Sequence, residues 1–411
     1  MHPSWLPIAI ALLTVAAIVV RPWRVPEWVW AVAGASAETI CGAVGARDSW
    51  IAVAAGANVY AFLIGVLALA ETARSQSVFV WLAGHAERLA AGSRLATLAL
   101  VYGAGIVVTA LLSNDTTVIA LTPAAVALAR RLGGSALPAA FACAFVANAA
   151  SFVLPGGNPA NVLIYGAAPP GLGPWLAAFL LPAGIALLIT FAVLLLLFRT
   201  ELREPIGAST DRLRSTPRSR IAATSLGLSA GALVVATAVH WPLGYTALAC
   251  AALTVLIVAA GDRSAPRFVA ANTAWSVVPL VAGLLVIVAA LDRAGLVSAA
   301  RAALAATAHL PPRAGILATG WGAALASNSA NNLPVAAFVA QASAGAPHPL
   351  LAAATIGIDV GPNLSVTGSL ATLLWLVVLR REGIVVTPRR FFFFGAATLA
   401  PALTAALLLA R

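Results

Sequence analysis

Leu112-Ser113-Asn114-Asp115-Thr116-Thr117-Val118-Ile119-Ala120-Leu121-Thr122-Pro123 is the stretch that decides how this chain is read. Five consecutive polar residues, Ser113 to Thr117, lie between Leu95–Leu111 and Val118–Ala129, which are nearly pure hydrocarbon. In water such a cluster is a surface turn or a helix N-cap. A bilayer offers it no solvent, so the same groups must face protein or a wet cavity. A second cluster follows 214 positions later, Ser327-Asn328-Ser329-Ala330-Asn331-Asn332-Leu333-Pro334. The rest of the sequence reads as scaffold for these two tips and for two breaks that follow them.

The composition sets the solvent. Of 411 residues 61% are hydrophobic and 9% charged, against about 25% charged in an ordinary soluble domain. Apolar runs of about 20 residues recur along the chain, which identifies an all-α polytopic membrane protein. The runs are continuous rather than alternating, which excludes a β-barrel. The formal charge of +11 rests entirely on Arg. These arginines fall in short loops between spans, so they report topology and not nucleic-acid binding. Cys41, Cys143 and Cys250 lie far apart in apolar spans, with no metal-ligand spacing, and read as buried, inert thiols. The N-terminal stretch lacks a basic start and a cleavage site, and reads as a first span rather than a removed leader.

The order of elements is the same twice. Spans at Leu6–Val20, Trp28–Gly45 and Trp50–Ala70 precede an interfacial segment, Ser75–Ala91. Two short arms, Leu95–Leu112 and Val118–Arg130, then meet at the tip 113–117. A broken span over 136–167 and a last span, Trp175–Phe198, close the unit. After Arg199–Arg220, with nine charges in 22 residues, the order repeats. Spans Ile221–Val239, Leu243–Ala260 and Trp275–Leu291 lead to an interfacial Ala299–His309. The arms Gly315–Ala326 and Leu333–Ala344 meet at the tip 327–334, a broken span covers 349–380, and Phe391–Ala410 is the last span. The expected organisation is therefore a first repeat over 1–198, a linker over 199–220 and a second repeat over 221–411. With the linker in the cytoplasm and each hairpin re-entrant, nineteen of the 24 arginines fall inside, as the positive-inside rule requires. Each half then crosses five times. The halves insert in opposite orientations, giving two inverted-topology repeats with ten transmembrane spans, two re-entrant hairpins and two broken helices. Both termini lie outside. Broken helices in matching positions of inverted repeats point to a secondary-transporter binding site.

The polar inventory limits what such a site takes. Pro155-Gly156-Gly157-Asn158-Pro159-Ala160-Asn161 interrupts the first broken span, and Gly361-Pro362-Asn363 with Ser365, Thr367 and Ser369 the second. Unwinding there frees backbone groups as ligands, though a plain kink is the bland alternative. Ser113, Asn114, Thr116, Thr117, Asn158, Asn161, Ser327, Asn328, Asn331, Asn332 and Asn363 are the candidate substrate ligands. An N-cap at Asn114 or Asp115 is the alternative at the first tip. The nearly uncharged inventory suits a small polar neutral solute, or an anion held by helix N-termini, and no Arg lies in any tip or break, which weighs against a carboxylate or phosphate. Asp115 and Asp359 are intramembrane carboxylates and candidate proton-coupling groups. Glu38 and Glu71 are weaker candidates, Glu71 beside Arg74. Asp292 beside Arg293 reads as an interfacial pair, and Asn58 as an interhelical hydrogen bond. No Walker A pattern, HExxH or nucleophile with a partner His occurs, so no enzyme activity, metal or cofactor is expected.

Gly357 to Gly383, GIDVGPNLSVTGSLATLLWLVVLRREG, resembles a signature of arsenite/antimonite efflux permeases of the ArsB type. LLSNDTTVIALTP and SNSANNLP resemble that family's two tips, and PGGNPANVLIYG its first broken span. The wider group is the ion transporter superfamily, which includes citrate and dicarboxylate carriers, sodium/proton antiporters and a silicic acid exporter. The resemblance implies export of trivalent arsenic or antimony hydroxides in exchange for protons, from a bacterial inner membrane, by alternating access. It also implies a soluble arsenite-stimulated ATPase as an allowed partner. As(OH)3 is neutral and carries three hydroxyls, which Asn, Ser and Thr suit. This sequence departs from many relatives at Asn363, where Lys is expected after Gly361-Pro362. Another small hydroxylated acid, sodium/proton exchange, or an uncoupled channel are the competing readings.

Overall fold

A computed structural model of the chain describes residues 5–90, 92–166, 170–203 and 216–410. Among them there is no strand. The first half contains α1 (Trp5–Val20), α2 (Glu27–Ile40), α3 (Ala46–Ala55), α4 (Ala57–Ser75), α5 (Val78–Ala90) and α6 (Arg94–Leu111). Next come α7 (Asn114–Thr116) and α8 (Thr122–Arg131), α9 (Leu137–Ala149), α10 (Pro159–Tyr165) and α11 (Leu172–Leu197). The second half contains α12 (Pro217–Ala238), α13 (Leu243–Gly261), α14 (Ala265–Asn272), α15 (Val277–Arg293) and α16 (Leu296–Ala308). It ends with α17 (Pro312–Ala330), α18 (Asn332–Ala342), α19 (His348–Val360), α20 (Leu370–Arg381) and α21 (Pro388–Leu409). Much of the charged linker, 204–215, lies outside the described residues, as does position 167 at the end of the first broken span.

Seven helical stretches among the described residues are long and apolar enough to cross a bilayer, which makes this a multi-pass membrane protein. Leu188 and Leu196 on α11, Leu228 on α12, and Leu253 and Leu256 on α13 are exposed, as a hydrocarbon solvent allows. Helix starts follow local chemistry. Proline occupies the first turn of α9, α10, α12, α17, α19 and α21, where its missing N–H costs nothing. Ser93, Thr216, Ser369 and Thr387 accept the first free N–H groups of α6, α12, α20 and α21.

The packing is made by close backbone approach. α4 lies on α13, and α2 on α15. A Cβ added at Gly65 of α4 would stand 2.5 Å from the Ala247 carbonyl carbon. One added at Gly283 of α15 would stand 2.6 Å from the Ala31 carbonyl oxygen of α2. Gly244 approaches Asn58 in the same α4–α13 crossing, and its N–H donates to Asn58 Oδ1 at 3.0 Å, the expected interhelical bond.

Three features differ from the sequence reading. The third span is two helices, because the chain breaks at Gly56 between α3 and α4. Cys41 is exposed at the end of α2, not buried. Arg293 pairs with Asp48, not with its neighbour Asp292, because adjacent helical residues point in different directions.

Candidate functional site

Two broken helices form the polar centre. α9 and α19 each have 13 residues, about 20 Å of rise, too short for a hydrocarbon layer of about 30 Å. Each ends inside the protein, and each end is tied to the break of the other half. Asn148, at the end of α9, donates its Nδ2 to Asn363 Oδ1 at 2.9 Å. Asp359, at the end of α19, accepts Asn158 Nδ2 on Oδ1 at 2.7 Å. Asn363 in turn donates to the Phe145 carbonyl at 3.3 Å. Asn158 caps α10 by accepting Ala160 N–H at 3.0 Å. Asn161 donates its Nδ2 to the Ser151 carbonyl at 3.0 Å. All these side chains are buried. The second break is held from outside as well: a Cβ at Gly395 of α21 would stand 2.0 Å from the Asn363 carbonyl oxygen.

The first tip is tighter than its polar run suggests. Ser113, not Asn114 or Asp115, is the N-cap: its Oγ accepts Thr116 N–H at 3.1 Å. Asn114 Oδ1 accepts the Asp115 N–H at 2.9 Å, and the Thr109 and Thr117 hydroxyls bond at 2.7 Å. So Asp115, Thr116 and Thr117 belong to the second arm. That arm widens into a π-turn at Thr117–Leu121 just before Pro123, which has no N–H to give to a regular ladder. Asp115 is buried, and no hydrogen bond or ion pair to its carboxylate occurs among the described residues.

At the second tip α17 continues to Ala330, so Ser327 and Asn328 are helical. The turn is Asn331 alone, at φ 72°, a conformation that Asn tolerates. Its Oδ1 caps α18 through Leu333 N–H at 3.3 Å, and its Nδ2 reaches the Thr367 carbonyl at 3.3 Å. Asn328 Nδ2 donates to the Ala324 and Gly361 carbonyls, both at 2.8 Å. Its Oδ1 accepts the Ser365 hydroxyl at 2.7 Å, and its carbonyl accepts Thr367 Oγ1 at 3.1 Å. The second hairpin and the second break are thus one bonded unit. Ser327 Oγ and Asn332 Oδ1 are buried without a partner.

The sequence-based residues do not converge on a single open cavity. A cavity of about 610 Å³ is apolar and lies between α1 and α15 on one side and α16, α17 and α18 on the other, reaching the tip only at Ala330 and Pro334. The polar centre is closed on its own hydrogen bonds. Asn331 lines a separate water-sized cavity of about 20 Å³ with Glu27. Asn148 and Ser151 are central residues that the sequence reading passed over. Their signal was a lone Asn near the end of an otherwise apolar Leu137–Ala149. Glu38 is fully buried on α2 with both carboxyl oxygens unpartnered. Glu71 pairs with Arg74 at 2.6 Å.

Residues 4–357 match the citrate transporter (CitMHS) family. The chain belongs to this family. The carrier is also 28% identical to an arsenical pump membrane protein of Escherichia coli over 410 residues, covering 96% of this chain and 95% of that protein. An arsenical pump membrane protein of Yersinia enterocolitica is 28% identical over 353 residues, 82% of each. An uncharacterized transporter of Mycobacterium tuberculosis is 26% identical over 401 residues, 92% of this chain and 91% of that protein. Among solved structures the YdaH transporter of Alcanivorax borkumensis superposes with a TM-score of 0.58 at 14% identity, covering 88% and 86% of the two chains, a likeness of fold. The resemblance to ArsB-type permeases of the ion transporter superfamily holds. The carrier is a membrane transporter and not an enzyme.

Proposed function

We propose that the carrier is a secondary active transporter exporting trivalent arsenic and antimony hydroxides across the bacterial inner membrane in exchange for protons. One observation carries the reading: the crossed bonds Asn148–Asn363 and Asp359–Asn158 join two broken helices deep in the molecule through amides and a single carboxyl group. A neutral solute with several hydroxyls matches such groups, each of which can both donate and accept. A citrate-like trianion does not, because no arginine lies in either tip or break and anion recognition calls for one.

Two inverted repeats, 1–198 and 221–411, are the architecture we propose, with ten spans and two re-entrant hairpins. Gly65 against Ala247 and Gly283 against Ala31 support it as reciprocal crossings between the halves. The 11 residues of α18 rise about 16 Å, which suits a re-entrant arm. We place the linker in the cytoplasm and both termini outside, and the ion pairs support the grouping of the loops by side. Arg130–Glu382 and Arg131–Glu87 join positions assigned to the inside, and Arg293–Asp48 positions assigned to the outside. Asp115 and Asp359 are the proposed proton-coupling groups, and the tip and break asparagines, serines and threonines the proposed ligands. The resemblance to ArsB-type permeases adds a soluble arsenite-stimulated ATPase as a proposed partner at the cytoplasmic face.

The test is arsenite uptake into everted membrane vesicles with and without an imposed proton gradient. Gradient-dependent accumulation is expected, and Asp115→Asn and Asp359→Asn are each expected to abolish it while the protein stays in the membrane. No accumulation by intact protein sinks the metalloid assignment and shifts the search to silicic-acid-like solutes or to sodium. Normal accumulation in both variants sinks the proton role.

A further inference from the structure

The apolar cavity of about 610 Å³ stands on the seam between α1 and α15 and the unit made by α16, α17 and α18. That unit is bonded within itself. Arg301 Nη2 of α16 donates to the Gln341 carbonyl of α18 at 3.0 Å, and the Thr307 and Thr319 hydroxyls of α16 and α17 bond at 3.1 Å. The space is a product of small residues. Ala300 and Ala303 of α16 and Ala318 and Ala326 of α17 line it where larger side chains would close it, and a Cβ added at Gly322 would still meet nothing within 4 Å. Its few hydroxyl groups are spent. Thr307 Oγ1 donates to the Leu304 carbonyl at 2.7 Å, and Ser343 Oγ to the Val339 carbonyl at 2.6 Å. Water in such a cavity would lack the polar partners that hold it, and a polar solute would give up its own hydrogen bonds on entering.

Its lining fixes how the cavity runs. Leu284 and Pro334 line both it and the water-sized cavity at Asn331, so its deep end is the second tip. Ala342 and Ser343, at the far end of α18, line the other end. Positions 334 to 343 are nine steps of helix apart, about 14 Å, close to half of a hydrocarbon layer of about 30 Å. The depth is therefore that of one leaflet. Leu12 of α1 lines the cavity and is 65% exposed, and Ala303 and Gly322 are exposed on the other wall. The cavity thus opens sideways to the surroundings of the protein, which for a multi-pass carrier are lipid.

Positive charge gathers at the end away from the tip. Arg301 follows Ala300 and reaches the carbonyl beside Ala342, and it is exposed. Arg313 is exposed in the first turn of α17, five positions before Ala318. Neither has an acidic partner among the described residues. Asp292, next to Leu291, sets one negative charge against these two, and Arg293 is neutralised by Asp48. We infer that the cavity holds one acyl chain of an anionic phospholipid, whose phosphate meets Arg301 and Arg313 while the chain runs along α18 to Pro334. The leaflet is the one these arginines face, the outer one in the orientation proposed above. The chain supplies the contacts that the small residues of α16 and α17 forgo, so part of the second hairpin rests on lipid.

The test needs no transported solute. The full-length protein is reconstituted in phosphatidylcholine vesicles containing a fraction of phosphatidylglycerol with a diazirine at the end of one chain. After irradiation the labelled peptides are read by mass spectrometry. Label is expected around Leu284 and Pro334, above the level on the exposed Leu188, Leu228 and Leu256 of α11, α12 and α13. Ala303→Phe puts a ring into the space from an exposed position, and displacing even two methylene groups of chain is worth on the order of a tenfold loss of that label. Gly322→Leu fills the space from α17 if the first variant is not tolerated. Arg301→Gln combined with Arg313→Gln should lower labelling by the phosphatidylglycerol probe and leave a matching phosphatidylcholine probe unchanged. Label at Leu284 and Pro334 no higher than on the outer helices, or indifferent to both filling variants, would overturn the acyl-chain site. Equal labelling by the two probes, before and after the arginine changes, would overturn the anionic headgroup.

Discussion

Gly395→Ala tests whether the second break is clamped in place. The added Cβ would lie 2.0 Å from the Asn363 carbonyl oxygen, whereas ordinary contact begins at 3.4 Å. The neighbour is backbone in a break tied to α9 and α17, so relief requires the break to move by about 1.4 Å or α21 to withdraw by as much. A shift of that size stretches the 2.9 Å Asn148–Asn363 bond to about 4 Å, beyond hydrogen-bond range. Two buried amides then lose a partner at about 1–3 kcal/mol each, or α21 repacks at about 1–3 kcal/mol. A loss of about 3 kcal/mol is expected, on the order of a 150-fold change in the folding equilibrium. The assay is a mixed-micelle denaturant titration, read beside arsenite uptake in the same preparation. Gly322→Ala is the control. It lies in α17 with nothing within 4 Å of its Cβ position, and replacing a helical Gly should be neutral or stabilising by up to about 1 kcal/mol. If Gly395→Ala matches wild type in both stability and uptake, the clamp is not there.

The reciprocal crossings make a second test: Gly65→Leu and Gly283→Leu, each driven into backbone, should both prevent recovery of folded protein from membranes, and recovery of either at wild-type yield would count against the packing. Asn328→Ala should lower stability by about 2–4 kcal/mol as well as uptake, because it removes three side-chain bonds to α17, Gly361 and Ser365; a pure affinity loss at unchanged stability would make it a ligand only. Asp262, between α13 and α14, accepts hydrogen bonds from Ser264 and Gln76 that hold its carboxyl group down at about 2. Because the folded value lies below the ordinary one, its contribution is present above about pH 4 and lost as pH falls through about 2. The difference in melting temperature between wild type and Asp262→Asn should therefore be constant near neutrality and shrink as pH falls from about 4 through about 2; a difference undiminished across that range would refute the account.

Much of this site was legible because hydrocarbon surroundings make polar residues conspicuous. Ser113 to Thr117, the proline–glycine breaks and the acids at 115 and 359 all stand out for that reason. What stayed hidden was partnership. Sequence spacing does not show that Asn328 spends its amide on Gly361, or that Asn158 turns toward Asp359, because both bonds join elements brought together only by the fold. Asn148 was passed over since one asparagine near a helix end is ordinary until its partner 215 positions away is seen. The tips were drawn too wide for a local reason. Polar residues in hydrocarbon look like loop, yet Thr116, Thr117, Ser327 and Asn328 all lie within helices. The Asp292–Arg293 pairing failed because adjacency in sequence is divergence on a helix.

The crossed bonds also bear on ancestry. Asn148 and Asp359 occupy the same place, one residue before the end of two 13-residue helices, and each reaches into the other half. Neither half contains a complete centre, so a cut in the linker should be survivable only when both fragments are made together. On the inverted-repeat architecture proposed above, a founding unit of half this length would work as a homodimer, with two identical residues at the crossing, two acids or none. Fusion into one chain would release that constraint. It would allow a single acid on one side and an amide on the other, an inequality that no symmetric pair of subunits can encode.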